Sequence, residues 1–512
     1  MSDRLSPPAP ASHADPGPSP RSSGRGAALR RAAPLTAVLL VAVFLRFFRL
    51  TATGFNSDEA VYAGTSASLA GDPGLGSLFP VFRAHPVLFQ SLVSLALRAH
   101  PGDWAARAVP ALLGTATVAM TYALGRRLYG RRAGIVAALL LAVMPYHVVV
   151  SRQVLLDAPM TLGATAALYC VARYAESPSP RGLLATGAVL GLTFLAKETS
   201  IVLLGSLYAF FALTPSVRTR WRHLLPAFGM LMVVALAHPL SQALAGHSKA
   251  GGNYLLWQMF RKANHPYTFY GSEVPLAVGL LVVVAAVAGL VWLRRENTWR
   301  ERLLVCWVAV PALFFTVWPV KGFQYLLPAA PVFAVLAGRT LVSFPRVARW
   351  QRVGAAVTVC AVVVATAVPA ALAVTRPPTS TRFLAGSGGL PGGREAGHWV
   401  RANAPDGARL LAIGPSMANV VQYYGLRPVS ALSVSPDPAR RNPSYRPVPN
   451  PDRAMRDGTF QYLVWDAYTA RRTPFFTAKF LDLVGRYHGR PVFTAHNADG
   501  VKVVVVYRVR AS

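Results

Sequence analysis

The segment LTAVLLVAVFLRFFRLTATGFNSDEAVYAG (Leu35–Gly64) joins an apolar run directly to two neighbouring carboxylates, Asp58 and Glu59. The apolar run, from Pro34 to Leu50, is long enough to cross the hydrocarbon of a bilayer as a helix. Acidic residues are scarce in this chain, which has 20 Asp and Glu against 52 Lys and Arg. A carboxylate pair directly behind a membrane span is costly to place, and it therefore marks a candidate functional site.

The composition is typical of a polytopic membrane protein. Hydrophobic residues make up 53% of the 512 residues and charged residues only 14%, with a mean hydropathy of +0.38, whereas an average soluble domain carries about 25% charged residues. The net charge of +32 does not indicate nucleic-acid binding, because the basic residues are mostly arginines spread over short loops. Cys170, Cys306 and Cys360 lie inside apolar runs without metal-ligand spacing, and we interpret them as core residues.

Eleven apolar runs are predicted to be membrane-spanning helices. They are Pro34–Leu50, Ala105–Leu124, Ala133–Val150, Met160–Ala175, Leu183–Ala196, Ile201–Leu213, Leu224–Leu240, Leu276–Leu293, Leu303–Val317, Tyr325–Phe344 and Val353–Val374. Four of the loops between these runs are rich in arginine, and if every run crosses the membrane all four lie on the same side: Arg126–Arg132, Ser216–His223, Arg294–Arg302 and Pro345–Arg352. The positive-inside rule places these loops and the N-terminus in the cytoplasm. We therefore expect a multi-pass plasma-membrane protein whose C-terminus lies outside the cytoplasm.

The sequence divides into three predicted regions: a tail before the spans, the spans with their loops, and a domain after them. Residues 1–33, rich in Pro, Ser and Arg, are expected to form a disordered cytoplasmic tail. Residues 34–375 form the transmembrane region, with long outer loops at 51–104 and 243–275. Residues 376–512 are more polar, and strand-like runs alternate there with helical patterns, which predicts a small extracytoplasmic α/β domain. We expect this domain to bind the acceptor.

Ionisable side chains crowd the predicted outer ends of the spans. Lys197 and Glu198 interrupt two apolar runs, where neither charge is favourable in a membrane; an internal pair that only fixes helix packing is the alternative to a functional role. Asp157 lies at the same mouth as Arg152, and a simple ion pair is again the alternative. A cluster of carboxylates and cations at this face suits a reaction on an anionic, membrane-anchored substrate.

Six motifs, in this order and spacing, carry a resemblance to a known family. They are the Asp58-Glu59 pair with Tyr62 and Ala63, HPVL (His85–Leu88), RAVPALLGTATVAMTYALGRRLYG (Arg107–Gly130), MPYHVVVSRQVLLDAPM (Met144–Met160), GLTFLAKETSIVLL (Gly191–Leu204) and KGFQYLLPAAP (Lys321–Pro331). Over about Ala37–Leu341 the chain resembles the GT-C class of membrane glycosyltransferases, in the branch of protein O-mannosyltransferases and lipid A aminoarabinose transferases. The resemblance implies a GT-C-like helical membrane fold.

The resemblance also implies sugar transfer from a polyprenyl-phosphate carrier to an acceptor hydroxyl outside the membrane. The carried sugar would be a hexose such as mannose, or a pentose, and the acceptor a protein, a glycan or a lipid. A transporter or lipid-linked-sugar flippase is the alternative, although its charges usually lie near mid-membrane, often with repeat symmetry. We expect no nucleic-acid partner.

The candidate site residues combine the resemblance with the chemistry that such a reaction needs. Because a polyprenyl phosphate leaves as a stable anion, one base and several cations suffice. The candidate catalytic carboxylates are Asp58, Glu59 and Asp157; the candidate substrate-binding residues are His85, Lys197, Arg261, Lys262, His265, Lys321 and Tyr325. We expect Asp58 to be the base, with Glu59 holding the loop or a metal. In some relatives a His at the position of His265 binds a metal, so a divalent ion is a possible cofactor.

Overall fold

The fold is a large assembly of helices followed by a five-stranded sheet near the C-terminus. The computed structural model describes residues 23–81, 85–244, 258–261, 263–344, 348–376, 384, 386–442 and 444–510. Lys262 and most of the predicted N-terminal tail lie outside these residues.

The helices before residue 376 are α1 (Ser23–Phe47), α2 (Ser57–Ala70), α3 (Pro73–Leu78), α4 (Leu88–Ala99), α5 (Asp103–Val143), α6 (Pro145–Ser151), α7 (Asp157–Glu176), α8 (Pro180–Ala196), α9 (Val202–Leu213), α10 (Trp221–Ala235), α11 (Ala237–Leu244), α12 (Phe269–Val278), α13 (Leu280–Trp292), α14 (Trp299–Val317), α15 (Ala330–Val342) and α16 (Arg349–Thr375). Short 3-10 turns cover Glu198–Ile201, Arg294–Glu296 and Phe323–Ala329.

Each predicted apolar run falls on one or two of these helices. α5 contains one of the runs and most of the next, and it is broken at Gly130, whose φ of 86° lies in the left-handed region that glycine tolerates. Among the described residues, four helices are long and apolar enough to cross a membrane, or five if α12 and α13, bent by 100°, form one span. These helices fit a polytopic membrane protein, while the count of eleven spans stays a prediction. α1 begins at Ser23, so its first turns overlap the end of the predicted tail, and the division into domains stays a prediction.

The remaining elements build a mixed sheet with helices packed against it. They are α17 (Gly393–Asn403), β1 (Leu410–Ala412), α18 (Pro415–Gly425), β2 (Val429–Ala431), a 3-10 turn (Pro438–Arg440), α19 (Pro451–Arg456), β3 (Tyr462–Asp466), α20 (Ala467–Arg472), α21 (Pro474–Arg486), β4 (Arg490–His496) and β5 (Lys502–Arg508). The strand order is β2-β1-β3-β5-β4, with β1 parallel to β2 and β3, and β5 antiparallel to β3 and β4. Residues 386–510 are called the C-terminal region below.

The C-terminal region packs directly on α2. Phe55 and Ala63, before and on α2, share one buried apolar cluster with Leu410 and Val420 of the C-terminal region. The guanidinium of Arg394 donates hydrogen bonds to the carbonyls of Thr51 (2.7 Å) and Ala52 (3.2 Å). The segment that carries the carboxylate pair is therefore held between the helix bundle and the sheet.

Candidate functional site

A cavity of about 400 Å³ lies where the C-terminal region meets the helix bundle. Its bundle-side lining includes Asn56, Ser57, Asp58, Tyr62, His85, Asp157, Lys197, Glu198, Arg261, Asn264, Lys321, Gln324 and Tyr325, and the C-terminal region adds Ser416, Ser433, Ser435, Arg440, Arg441, Asn442, Tyr445, Tyr468 and Arg472. Seven of the ten predicted site residues line this one cavity: Asp58, Asp157, His85, Lys197, Arg261, Lys321 and Tyr325.

Asp58 presents its carboxylate to this cavity from the first turn of α2. Asn56 caps the helix, and its side-chain oxygen accepts hydrogen bonds from the backbone N–H groups of Asp58 and Glu59, each at 3.0 Å. Among the described residues, no hydrogen bond or ion pair reaches the Asp58 carboxylate. Burial in the cavity wall raises the pKa of this carboxyl, opposed by the positive charge of Lys197. A half-buried, unpartnered carboxylate with a raised pKa has the properties of a general base.

Glu59, by contrast, lies on the other side of α2 and does not line the cavity. Its side chain is fully buried and forms two hydrogen bonds of 2.8 Å with Arg107. It also accepts from the backbone N–H groups of Asn56 (3.1 Å) and Val154 (3.0 Å). The prediction of Glu59 as a catalytic carboxylate is therefore corrected: with both oxygens occupied, it holds the loop, which is the structural role also considered for it.

Asp157 is paired with a lysine. Its Oδ1 lies 2.7 Å from the Nζ of Lys197, and both side chains are buried. The same ammonium lies 4.5 Å from the ring centroid of Tyr325, a cation–π distance. The ion pair with Arg152 that the sequence allowed is absent among the described contacts, because Arg152 donates instead to carbonyls at the end of α1. Lys197 is thus fixed at the cavity with a carboxylate behind it.

Glu198 binds His85 instead of its neighbour Lys197. Nδ1 of His85 lies 2.8 Å and 3.0 Å from the two Glu198 oxygens, and the His85 ring packs edge-on against Tyr62, with centroids 5.9 Å apart. The internal Lys197–Glu198 pair was therefore the wrong pairing. Two adjacent residues of the turn after α8 reach two different partners, which fixes that turn at the cavity wall.

Lys321 and Arg261 add positive charge to the cavity. The backbone N–H and carbonyl of Lys321 exchange two 2.8 Å hydrogen bonds with the Asn264 side chain. Its ammonium donates to the carbonyl of Trp318 at 3.1 Å and lies 5.1 Å from the ring centroid of Tyr267. The site therefore holds a lysine from each of two separate turns, with an arginine beside them.

His265 does not line the cavity. Its ring stacks on Phe269 with centroids 4.2 Å apart, and burial, together with the nearby Arg472 and Lys321 charges, lowers its pKa. Among the described residues there is no group of three or more His, Cys, Asp or Glu side chains placed to hold a metal ion. The divalent ion therefore stays a prediction.

Sequence reasoning missed the wall that the C-terminal region contributes. Arg440, Arg441 and Arg472 line it, together with the hydroxyl groups of Tyr445 and Tyr468. No motif marks these residues, since they lie more than 350 positions from Asp58 along the chain and approach it only through the docking of the sheet on α2. The sequence predicted an extracytoplasmic α/β domain, but neither its docking on α2 nor the residues that it contributes to the cavity.

An apolar groove lies beside the Lys197–Glu198 turn. It has a volume of about 230 Å³ and is lined by Leu190, Phe194, Ser200, Ile201, Leu204, Leu231, Met232, Ala235, Leu236 and Pro239. Ser200 and Ile201 of the groove directly follow Thr199, which lines the polar cavity, so the two sites are adjacent along the chain. An amphipathic molecule with an apolar tail fits this arrangement.

Comparison with known proteins agrees with the resemblance read from the sequence. Residues 84–241 match the family model described as dolichyl-phosphate-mannose-protein mannosyltransferase. Over 260 residues the chain is 29% identical to an undecaprenyl phosphate-alpha-4-amino-4-deoxy-L-arabinose arabinosyl transferase of Pseudomonas fluorescens, covering 46% of this chain and 45% of the relative. The chain thus matches about half the length of the curated relatives.

Solved structures extend the likeness to nearly the whole fold. ArnT from Cupriavidus metallidurans in the apo state superposes with a TM-score of 0.68 at 15% identity, covering 95% of this chain and 98% of ArnT. The same protein bound to undecaprenyl phosphate gives 0.67 at 16% identity, covering 94% and 98%. The archaeal oligosaccharyltransferase AglB from Archaeoglobus fulgidus gives 0.60 at 14% identity, covering 94% and 74%. The chain thus shares the fold of these solved structures, and together with the family-model match over residues 84–241 this likeness supports the GT-C class of membrane glycosyltransferases.

Proposed function

We propose that this protein transfers a sugar from a polyprenyl-phosphate carrier to an acceptor hydroxyl at the face of the membrane outside the cytoplasm. The sugar is a hexose such as mannose or a pentose, and the acceptor is a protein, a glycan or a lipid. The observation that carries the proposal is the unpartnered Asp58 carboxylate, which shares one cavity with Lys197, Arg261 and Lys321. A base and a set of cations in one cavity are what transfer from a lipid phosphate requires.

The reaction proposed is a single displacement at the anomeric carbon. The acceptor oxygen attacks that carbon, the bond from the carbon to the phosphate oxygen breaks, and the configuration inverts. Asp58 takes the proton of the acceptor hydroxyl as the new bond forms. The electron pair of the broken bond stays on the polyprenyl phosphate, which leaves as an anion, so no acid is needed on that side.

The cations stabilise the charge that develops on the leaving phosphate. Lys197 is the best placed of them, because it is buried at the cavity and lies three residues before Ser200 of the apolar groove. A phosphate at Lys197 would let the polyprenyl chain follow the groove into the bilayer. The structure of the similar ArnT bound to undecaprenyl phosphate supports a donor of this kind. Asp157 orients Lys197 through their 2.7 Å contact, and it is a positioning residue.

The decisive experiment uses full-length protein in lipid nanodiscs with a panel of radiolabelled polyprenyl-phosphate sugars. Release or transfer of the label is followed for the wild type and for Asp58→Asn, with bacterial envelope lipids, glycans and proteins as acceptors. We expect turnover of one donor in the wild type and a loss of roughly 10²- to 10⁴-fold in the variant. Equal turnover in both proteins would remove Asp58 from its role as base while keeping the enzyme class.

A transporter of lipid-linked sugars is the competing function. It would move a labelled donor between bilayer leaflets without cleaving the bond between sugar and phosphate. That bond would then stay intact both in the wild type and in Asp58→Asn. Leaflet exchange without release of the label from any donor would therefore overturn the proposal. Glu176→Gln is the matched control, because it removes one carboxylate whose partner is Arg127 and which does not line the cavity.

A further inference from the structure

A second cavity, distinct from the candidate active site, lies beside the ends of α1 and α16. Its volume is about 440 Å³, within the usual range for a small-molecule site. It is lined by Arg49, Leu50, Ala52, Thr53, Arg107, Val149, Arg152, Gln153, Leu372, Ala373, Val374, Thr375, Arg376, Ser387, Gly388 and Gly389. It shares no lining residue with the Asp58 cavity, and nothing in the proposed transfer reaction uses it.

The charge of this second cavity is positive and largely uncompensated. Four of its lining residues are arginines, and none of its described lining residues is acidic. Within the described part of the chain, Arg107 alone of these four has a carboxylate partner, Glu59. Arg49, Arg152 and Arg376 form no ion pair with any described carboxylate. An anion bound in this cavity would interact favourably with these guanidinium groups.

Two of these arginines are bound only to backbone carbonyl groups. Arg152 donates to the carbonyls of Leu45 (2.8 Å), Phe48 (2.8 Å) and Arg49 (3.0 Å) at the end of α1. Arg49 donates to the carbonyl of Thr375 at 3.0 Å, at the end of α16. These bonds fix the positions of the guanidinium groups but leave their charge without a counter-ion.

The surroundings of the cavity are apolar and open to lipid. Leu372, which lines the cavity, is 39% exposed. Farther along the same two helices, Leu40 on α1 and Val364 on α16 are 64% and 59% exposed, so acyl chains can lie along both helices. The positive-inside rule gives no reason for unpaired arginines here, because this end of α1 is predicted to lie outside the cytoplasm. An anionic headgroup with apolar chains fits both parts of the cavity.

We propose that this arginine-lined cavity binds a lipid-borne phosphate, whose headgroup lies between Arg49, Arg152 and Arg376. Gln153 connects it to the candidate active site: its side-chain oxygen accepts a 2.8 Å hydrogen bond from Asn56, which caps the helix of Asp58. One layer of side chains therefore separates the bound lipid from the first turn of α2. Two lipids carry this chemistry, an anionic phospholipid of the bilayer and a free polyprenyl phosphate.

The test measures binding and needs no enzymatic turnover, so its outcome is independent of the proposed function. Full-length protein in detergent is titrated with phosphatidylglycerol, undecaprenyl phosphate or neutral phosphatidylcholine, and bound lipid is counted by native mass spectrometry. The variant is Arg49→Gln with Arg376→Gln, two exposed side chains. The control is Arg294→Gln with Arg295→Gln, which makes the same charge change at two exposed side chains after α13.

We expect the wild type to retain at least one of the two phosphate lipids in preference to phosphatidylcholine, and the one preferred identifies the source. Loss of two charges close to a lipid phosphate should weaken that binding by roughly thirtyfold, while the control variant retains it. A second variant, Ala373→Phe, fills the cavity without changing charge and should also reduce binding. Equal retention of neutral and anionic lipid, or unchanged binding in both cavity variants, would overturn the proposal.

Discussion

Asp58 and Glu59 are adjacent on α2, but they face two different regions of the molecule. Asp58 faces the cavity, where its carboxylate has no described partner and its pKa is raised by burial. Glu59 faces the junction of α2 with α5, where Arg107 and two backbone N–H groups occupy it fully. The contrast separates two placements of a carboxylate: Asp58 is exposed to the cavity without a described partner, as the proposed base requires, whereas Glu59 is bound within the loop that carries Asp58.

The largest effect that sharpens this contrast is expected for Asp58→Asn. The amide cannot take the proton of the acceptor hydroxyl, and turnover should fall by roughly 10²- to 10⁴-fold. Because the variant no longer buries a negative charge, its thermal stability at pH 7 should equal or exceed that of the wild type. Radiolabel transfer and the midpoint of thermal unfolding in the same detergent measure both. A variant that loses activity together with stability would contradict the division of roles.

Glu59→Gln is expected to show the opposite pattern. It leaves the buried Arg107 without a counter-charge, which typically costs about 3–5 kcal/mol of unfolding free energy. Glu176→Gln is a fitting control, because its pair with Arg127 is partly exposed and should be worth about 1 kcal/mol or less. Unfolding measured by intrinsic fluorescence against temperature compares the two. An unfolding midpoint for Glu59→Gln equal to that of the control would show that Glu59 does not hold the loop.

The pH dependence of turnover gives a smaller, graded test. A base works only when it is deprotonated, so kcat/KM should rise with pH and level off above the pKa of Asp58. Burial raises that pKa, which moves the half-maximal pH above the ordinary value for Asp of about 3.9. Below that point the rate should fall about tenfold per pH unit. A profile flat down to pH 4 would mean that another group takes the proton.

The same raised pKa has a consequence for stability. A carboxyl whose pKa is higher in the folded protein than in the unfolded chain binds its proton more tightly when folded. The stability it contributes is therefore present at low pH and is lost as the pH rises through the folded pKa. This dependence should be absent in Asp58→Asn, and thermal unfolding followed between pH 4 and pH 7 for both proteins would reveal it.

The sequence predicted the helical scaffold and most of the site, for a physical reason. Long apolar runs and the charges that interrupt them are visible in one dimension, because a bilayer penalises both loops and charges. Asp58 and Lys197 were found in this way, whereas His85 came from the family resemblance and Lys321 from the need for cations at the phosphate. The pairing of these side chains was not predicted. Lys197 contacts Asp157, and Glu198 contacts His85, only because α7, α8 and the segment before α4 pack together in the folded protein.

The role of Glu59 and the C-terminal wall were hidden for a different reason. A carboxylate pair in a sequence does not reveal which member faces the protein interior; the capping of α2 by Asn56 decides it. Arg441 and Arg472 reach the cavity through contacts that the sheet makes with α2, and such surface contacts leave little periodic signal in a sequence. The helical bundle was therefore more predictable than the surface where the sheet docks.

The smallest predicted effect concerns that docking. Asn419 on α18 donates hydrogen bonds to the hydroxyl of Ser57 (3.1 Å) and of Tyr445 (2.9 Å), and so connects the C-terminal region to the residue before Asp58. Asn419→Ala should cost about 1 kcal/mol of stability, the usual worth of such bonds, and lower turnover a few-fold because α2 is held less firmly. Asn403→Ala is the matched control, since its exposed side chain donates only to the carbonyl of Trp399 within its own helix. If both variants keep full turnover, the sheet only covers the cavity; if Asn419→Ala alone loses turnover while remaining folded, the C-terminal region helps to position the base.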